Sequence, residues 1–296
     1  MPRSLLIIGS GAIGMEFASF YQELGTAVTV VEYADRILPS EDKEISTFAQ
    51  KAFEKRGISF RLNATVSGVS HSDKGAKCII VPNRDDEKPI ETIVDRVILA
   101  VGIVGNTENL GLENTDITVE NSHIITNEYS ETAEPGVYAI GDVTGGPWLA
   151  HKASHEGIIC VENILGMKPK PLDINKIPGC TYCDPQIASI GLTEHEAKQK
   201  GHKLRVGRFP FFGNGKAIAL GEEEGLVKTV FDSESGELLG AHLIGSEVTE
   251  LIQGFAIAKS LESTELELME TIFPHPTLSE MMHESVLDAH NRAVHI

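Results

Sequence analysis

Three groups of residues in this 296-residue chain have the types and spacing to do chemistry. The first is Gly9-Ser10-Gly11-Ala12-Ile13-Gly14, a G-x-G-x-x-G turn, followed by Glu32 at the end of the next apolar run. Gly9 permits a tight turn, Gly11 lets a pyrophosphate approach the backbone, and Gly14 lets a helix sit close to a sheet. The phosphates would lie over the helix N-terminus, where unpaired N–H groups and the dipole favour anions. Glu32 would accept hydrogen bonds from a ribose diol and repel a 2′-phosphate, which favours NAD over NADP. The alternative is that the glycines serve only close helix–sheet packing. The second group is His275 with Glu280 in His275-Pro276-Thr277-Leu278-Ser279-Glu280. Thr277 and Glu280 also have capping-box spacing, and a histidine before proline is common in turns. The third is Cys180-Thr181-Tyr182-Cys183. A C-x-x-C is redox-active when it opens a helix beside a βαβ unit. Here Ile177-Pro178 precedes it and a strand pattern follows, so the two thiols should point to opposite faces and serve packing.

The elements that must position these groups follow from periodicity. Leu5–Ile8 and Val28–Val31 read as strands flanking a helix whose apolar face is predicted to be Ile13, Phe17, Phe20 and Leu24. Tyr33–Pro39 reads as loop. A helix from Asp42 to Arg56 buries Ile45, Phe48, Ala49, Ala52 and Phe53 and stops at Gly57. Ile58–Phe60 restarts a strand. Residues 64–95 alternate apolar and polar residues, with breakers at Asp73-Lys74-Gly75 and Asn83-Arg84-Asp85-Asp86, and read as a β-meander. Arg96–Val101 is a strand ending at Gly102, the kind of strand end where an open α/β sheet places ligands. Residues 103–135 are rich in loops. Val137–Ile140 is a short strand before Gly141-Asp142, where Asp142 reads on its own as a turn residue. Leu149–Leu165 forms a helix with Ala150, Ala153, Gly157, Ile158, Val161 and Ile164 facing inward. A proline-rich linker follows at Pro169, Pro171 and Pro178.

Beyond it the pattern changes. Residues 186–191, 204–209, 226–231 and 238–244 read as strands, 193–201 as a helix with a Thr193/Glu196 capping box, and 247–260, 264–270 and 279–290 as helices. Strands followed by helices imply an α+β domain, not a second βαβ unit.

The formal net charge of −18 makes nucleic acid an unexpected partner. No run of 18 apolar residues suggests a membrane span. Met1-Pro2-Arg3 leads straight into a strand without a signal-peptide pattern. Four cysteines are too few for a disulfide scaffold and fit a reducing cytoplasm.

Five stretches together resemble the flavoprotein disulfide reductases, and within them the dihydrolipoamide dehydrogenases. They are Gly9–Phe17, Val30–Glu32, Ala100–Gly102, Val137–Asp142 and His275–Glu280. The resemblance implies an α/β fold with a Rossmann-like NAD-binding domain at 1–122. The C-terminal part of an FAD-binding domain would follow at 123–172, then an α+β interface or dimerisation domain at 173–296. It places NAD at Gly9, Gly11, Ala12, Ile13, Gly14, Glu16, Glu32 and Gly102. Glu16 would lie near the nicotinamide; its other reading is an acid favoured in a first helical turn. FAD would meet Asp142, through the ribitol, and Leu149, Ala150 and His151 at the flavin edge. His275 would be the base that deprotonates a substrate thiol, with Glu280 orienting its ring. No metal is implied.

The family's N-terminal FAD region, with its own G-x-G-x-x-G and a C-x-x-x-x-C redox disulfide, has no counterpart in these residues. The resemblance therefore implies an inactive portion that binds NAD but not FAD. The intact protein would be a homodimer oxidising lipoyl-domain dihydrolipoamide, docked on the acyltransferase core of 2-oxo acid dehydrogenase complexes. Glutathione reductase shares the histidine pair but uses NADPH, against which Glu32 speaks. A further alternative is an NAD-binding dimerisation module without turnover.

Overall fold

The computed structural model describes residues 1–84 and 88–296; the predicted turn residues Asp85 and Asp86 lie outside the described residues. The chain forms two compact units, Met1–Val101 with Pro178–Ile296, and Gly102–Ile177.

The first unit begins with β1 (Ser4–Ile8), α1 (Ala12–Glu23), β2 (Ala27–Val31), α2 (Lys43–Lys55) and β3 (Ser59–Arg61). Then come β4 (Ala64–Ser72), β5 (Gly75–Pro82), β6 (Ile90–Val94) and β7 (Arg96–Leu99). The parallel sheet runs β3-β2-β1-β7. Alternation along β1 sorts its side chains. Leu5 and Ile7 pack with Met15, Ala18, Ala49 and Phe53 of the helices, whereas Leu6 joins Ala64, Cys78, Ile80 and Val94 of the antiparallel β4-β5-β6 sheet. α2 buries the face that its spacing predicts. Asp42 caps it through the Glu44 amide, and Gly57 ends it in a left-handed conformation.

α1 departs from expectation. Ile13, Phe17, Phe20 and Leu24 are 43–57% exposed, and the buried face is Gly14, Met15, Ala18 and Ser19. Small residues allow the closest approach to the sheet, so they, and not the bulkier stripe, mark the packed side.

The second unit holds β8 (Val119–Glu120), β9 (His123–Ile124) and α3 (Ala150–Ile164). The predicted strand at 137–140 reduces to a single bridge, Glu131 with Tyr138. Left-handed Gly136 and Gly141 leave too short a run between them. The predicted inward face of α3 is likewise corrected. Ile158, Val161 and Ile164 are exposed, while Lys152 and Cys160 are buried and Lys152 pairs with Glu156 at 2.7 Å.

The first unit resumes with β10 (Gly179–Thr181), β11 (Gln186–Gly191), α4 (Glu194–Gln199), β12 (Leu204–Pro210) and α5 (Gly215–Leu220). It ends with β13 (Leu226–Asp232), β14 (Leu238–Gly245), α6 (Val248–Ser260), α7 (Glu265–Glu270) and α8 (Glu280–Asp288). The antiparallel sheet β10-β11-β14-β13-β12 packs on α6 and α8 through Phe209, Phe231, Leu243, Phe255, Met281 and Val286, the expected α+β arrangement. The Thr193/Glu196 capping box forms.

A buried ion network ties α2 to this sheet. Lys228, 2% exposed, reaches Asp42 at 2.8 Å, Glu194 at 2.8 Å and Glu44 at 3.1 Å, and Arg208 also grips Glu44 at 2.9 Å. The ammonium's three donors are thereby all used. The network borders a groove of about 720 Å³ whose carboxylates, Asp42, Glu44, Glu194 and Glu224, are all ion-paired.

Candidate functional site

The glycine turn is built by exclusion. A Cβ on Gly9 would sit 2.3 Å from the Ala100 carbonyl oxygen, and Gly9 has φ +98°. A Cβ on Gly14 would sit 2.1 Å from the Gly9 carbonyl oxygen. Around Gly11 there is nothing within 4 Å. Two glycines thus let strand, turn and helix touch, and the third leaves open space. Gly11 is the N-cap of α1 and no side chain caps this helix end, which suits an anion.

Glu32 follows β2 and folds back on the turn. Its Oε2 accepts from the Ser10 amide at 2.8 Å and the Ser10 hydroxyl at 2.7 Å, and its Oε1 accepts from the Ala34 amide at 2.8 Å. A carboxylate offers about four acceptor positions, so one remains for a ligand hydroxyl. Ala12 and Ile13 are exposed at the start of α1.

Glu16 is not in the first helical turn. α1 starts at Ala12, which puts Glu16 one turn in, and its Oε1 accepts the Tyr182 amide at 2.8 Å. That contact joins α1 to the chain just past β10. Gly102 does not close a strand either: β7 ends at Leu99, and Gly102, with φ +135°, opens the second unit.

In the second unit, Asp142 lies exposed in a short 3-10 turn at Gly141–Thr144. Gly141 anchors that turn by donating to Glu156 Oε2 at 2.8 Å. Leu149 is the N-cap of α3, with Ala150 and His151 as its first residues.

The histidine loop is built by polar contacts. His275 Nδ1 lies 2.9 Å from Glu280 Oε1, while the His275 side chain stays 76% exposed. The Thr277 amide donates to Glu280 Oε2 at 2.9 Å. The predicted capping box is therefore half formed: the Thr277 hydroxyl turns to the Pro274 carbonyl, and Ser279 is the N-cap of α8. Burial pushes the Glu280 carboxyl up, but the Thr277 and His275 hydrogen bonds outweigh it and hold the group below the usual range. The ring is thus aimed outward with its inner nitrogen held by an anion, the arrangement a general base needs.

Cys180 packs on the core of the antiparallel sheet and Cys183 in the core under the parallel sheet. Both are free thiols, and desolvation raises both above the usual thiol range. The strand ends at Thr181, so burial in two different cores, not strand alternation, separates them. Among the described residues no group of acidic, histidine or cysteine side chains could hold a metal ion, and no helix is long and apolar enough to cross a membrane.

Sequence reasoning missed Ser10, Asn214 and Lys228. Asn214 is 5% exposed; its Nδ2 donates to the Thr277 carbonyl at 3.1 Å while its Oδ1 caps α5 at the Ala217 amide. An N-cap residue type before a helix signalled the cap, not the contact with the loop. A lone lysine inside the apolar run 226–231 signalled Lys228.

The family description "Pyridine nucleotide-disulphide oxidoreductase" matches residues 1–157, and the dimerisation domain of the same name matches 177–286. The chain is 54% identical to a dihydrolipoyl dehydrogenase of Rhizobium etli over 99% of this chain and 61% of that protein. It is 45% identical to one of Bacillus subtilis, covering 100% of this chain and 62% of that protein. It resembles the crystal structure of LpdA from Mycobacterium tuberculosis with a TM-score of 0.88 at 29% identity, over 96% of this chain and 61% of that one. The HOCl-induced flavoprotein disulfide reductase RclA of Escherichia coli gives 0.87 at 27%, over 96% and 64%. The chain thus spans less than two thirds of the length of these relatives.

Proposed function

The chain belongs to the pyridine nucleotide-disulphide oxidoreductase family, and from that premise we propose that it is the NAD-binding and dimerising portion of a dihydrolipoyl dehydrogenase. The observation that carries this reading is the pairing of an NAD-type turn, closed by an anchored Glu32, with His275 held 2.9 Å from Glu280 in the same compact unit. Gly11, Ala12, Ile13 and Gly14 would cradle the pyrophosphate and Glu32 the adenosine ribose. Glu16 would lie near the nicotinamide. Asp142, Leu149, Ala150 and His151 would form one wall of an FAD site, in a division of the chain at 122 and 172. FAD and NAD supply the electron transfer when bound.

This chain's part in the reaction is a proton at a stated atom. His275 Nε2, the ring nitrogen away from Glu280, takes the proton of a dihydrolipoamide thiol, because the thiolate and not the thiol attacks a disulfide. Glu280 holds the ring and stabilises the imidazolium that results. The intact protein would act as a homodimer with lipoyl domains and the acyltransferase core of 2-oxo acid dehydrogenase complexes as partners, in the cytoplasm. A 2′-phosphate-using relative such as glutathione reductase fits less well, because Glu32 stands where that phosphate would need a cation.

The second reading, a module without turnover, is favoured for this chain alone by the exposed stripes Ile13/Phe17/Phe20/Leu24 and Ile158/Val161/Ile164. Such contiguous apolar surface calls for cover. The experiment is a titration of the purified chain with NAD+ and NADP+, an absorbance scan for flavin, and light scattering. Tighter NAD+ binding, no flavin band and a dimer are expected. Preference for NADP+ would sink the assignment, and lipoamide-dependent NADH oxidation by the chain alone would sink the statement that it lacks turnover.

A further inference from the structure

Ser10 stands between the two glycines of the turn, fully buried, and every polar atom it owns is engaged. Its amide and hydroxyl both donate to the same oxygen, Oε2 of Glu32, at 2.8 and 2.7 Å. Its carbonyl accepts the amide of Leu38 at 2.9 Å. Leu38 is itself buried and left-handed, at φ +46°, so the loop after β2 is pinned to the turn at this residue. Ala34 completes the grip on Glu32 from the other carboxylate oxygen at 2.8 Å.

We infer that Ser10 is a specificity-determining positioning residue: its hydroxyl locks the Glu32 carboxylate so that the charge cannot retreat from a 2′-phosphate. The inference rests on the reading of Glu32 as the acceptor of the adenosine ribose. A glutamate at a strand end has three rotatable bonds, and a crowding anion can turn it aside at the small cost of a rotamer change. Rejection of a 2′-phosphate then stays weak even though the charge is present. Two donors on one oxygen and a third on the other fix both the reach and the plane of the carboxylate. A 2′-hydroxyl meets the one acceptor position left, whereas a 2′-phosphate meets a charge that does not move. The Ser10 amide and the Ala34 amide are backbone groups that every residue type supplies. The hydroxyl is the only one of the three donors that a side chain contributes.

Calorimetric titration with NAD+ and NADP+ of the wild-type chain, Ser10→Ala, Glu32→Gln and the double variant tests this. The readout is the ratio of the two dissociation constants, which general destabilisation does not move because both dinucleotides lose alike. Removing one charge-assisted hydrogen bond should lower the ratio in favour of NAD+ by about tenfold in Ser10→Ala. Glu32→Gln should bring it close to one, and adding Ser10→Ala to that variant should change nothing further. Ser10→Gly, which removes the hydroxyl without adding atoms, should repeat the Ser10→Ala result. An unchanged ratio in Ser10→Ala overturns the inference, and so does an equal fall in the Glu32→Gln background, which would place the effect elsewhere. A wild-type chain that binds neither dinucleotide, or binds both alike, overturns the reading of Glu32 itself, and the inference falls with it.

Discussion

The glycine turn and the histidine loop both end on a glutamate, yet they are specified in opposite ways. In the turn the carboxylate of Glu32 is held by donors, two of them backbone amides, and the shape around it depends on atoms that are missing from Gly9 and Gly14. In the loop the carboxylate of Glu280 does the holding, and the shape depends on side chains that are present: His275, Thr277, Glu280 and Asn214. A site made by exclusion should fail when atoms are added, and it should fail in folding as much as in binding. A site made by polar contacts should fail when atoms are removed, and lose position before it loses stability.

The largest expected effect lies outside both regions, in the ion network that ties α2 to the antiparallel sheet. Lys228→Met leaves Asp42, Glu44 and Glu194 facing one another without their common cation. Breaking a buried ion network from one side costs about 3–5 kcal/mol. Urea denaturation should show that loss, and a much smaller one would mean that the network does not hold α2 to the sheet. The same network predicts acid lability. Hydrogen bonds from Lys198 and Lys228 outweigh desolvation and bring Glu194 down to about 2 from its ordinary 4.5. A carboxyl lowered on folding stabilises fully above its unfolded value and loses that contribution as pH falls through the folded one. Stability should therefore decline from about pH 4.5 towards about pH 2, and this limb should flatten in Glu194→Gln.

Next comes the turn itself. Gly14→Val places side-chain atoms on the Gly9 carbonyl, 2.1 Å from the new Cβ, and overpacking of that kind costs about 1–3 kcal/mol, occasionally more. Dinucleotide binding should disappear with it. Gly11→Ala is the contrast: its Cβ enters open space, so stability should stay within about 0.5 kcal/mol while NAD+ binds more weakly. If the two variants behave alike in denaturation, exclusion is not what builds the turn.

The same contrast explains what was legible in the sequence. Glycines at fixed spacing announced the turn at Gly9, Gly11 and Gly14, and the short apolar run Leu5–Ile8 announced β1 without saying that Leu5 and Ile7 face the helices and Leu6 the other sheet. Periodicity also gave the α2 face and most of the strands and helices after residue 180, but not the short helix α5 at Gly215–Leu220. It misplaced the buried sides of α1 and α3, because a 3.6-residue stripe says that a face is apolar and not that anything covers it. Ile13, Phe17, Phe20 and Leu24 form such a stripe beside the small residues Gly14, Ala18 and Ser19 that make the actual contact. Long-range polar partners were not legible at all. Nothing near Asn214 points to Thr277, 63 residues away, and nothing near Lys228 points to Asp42, 186 residues away.

Asn214 gives a smaller effect that separates two roles of one side chain. Asn214→Ala loses both the α5 cap and the hydrogen bond to the Thr277 carbonyl, about 1–2 kcal/mol together. Asn214→Ser keeps an oxygen able to cap the helix and loses only the donor to the loop. Thermal melts should place the serine variant between wild type and alanine, with the backbone resonances of 275–278 shifted in both. Melts alike for serine and wild type, with unshifted loop resonances, would show that Asn214 does not hold the loop.

The smallest effect on stability, and the sharpest on position, belongs to Glu280→Gln. His275 is 76% exposed, and such an exposed pair is worth about 0–1 kcal/mol, so the melting temperature should barely move at neutral pH. The geometry, however, has to change. The carboxylate accepts twice, from His275 on one oxygen and from the Thr277 amide on the other. Glutamine offers one oxygen and one donating NH2. If its oxygen faces the Thr277 amide, the NH2 meets His275 Nδ1 and forces the ring into the tautomer that keeps its proton on Nε2, the nitrogen assigned to take the thiol proton. Nitrogen-15 chemical shifts of the imidazole should report that switch. The acid side provides a second check with a definite sign. The Glu280 carboxyl lies below its ordinary 4.5 in the folded chain, so its share of stability is present above that value and fades as pH falls through the folded value. In the glutamine variant that share is missing throughout, and the two melting curves should converge as the solution is acidified. Curves that stay parallel down to about pH 3, below the free carboxyl range, would mean that Glu280 takes no stability from His275 and Thr277.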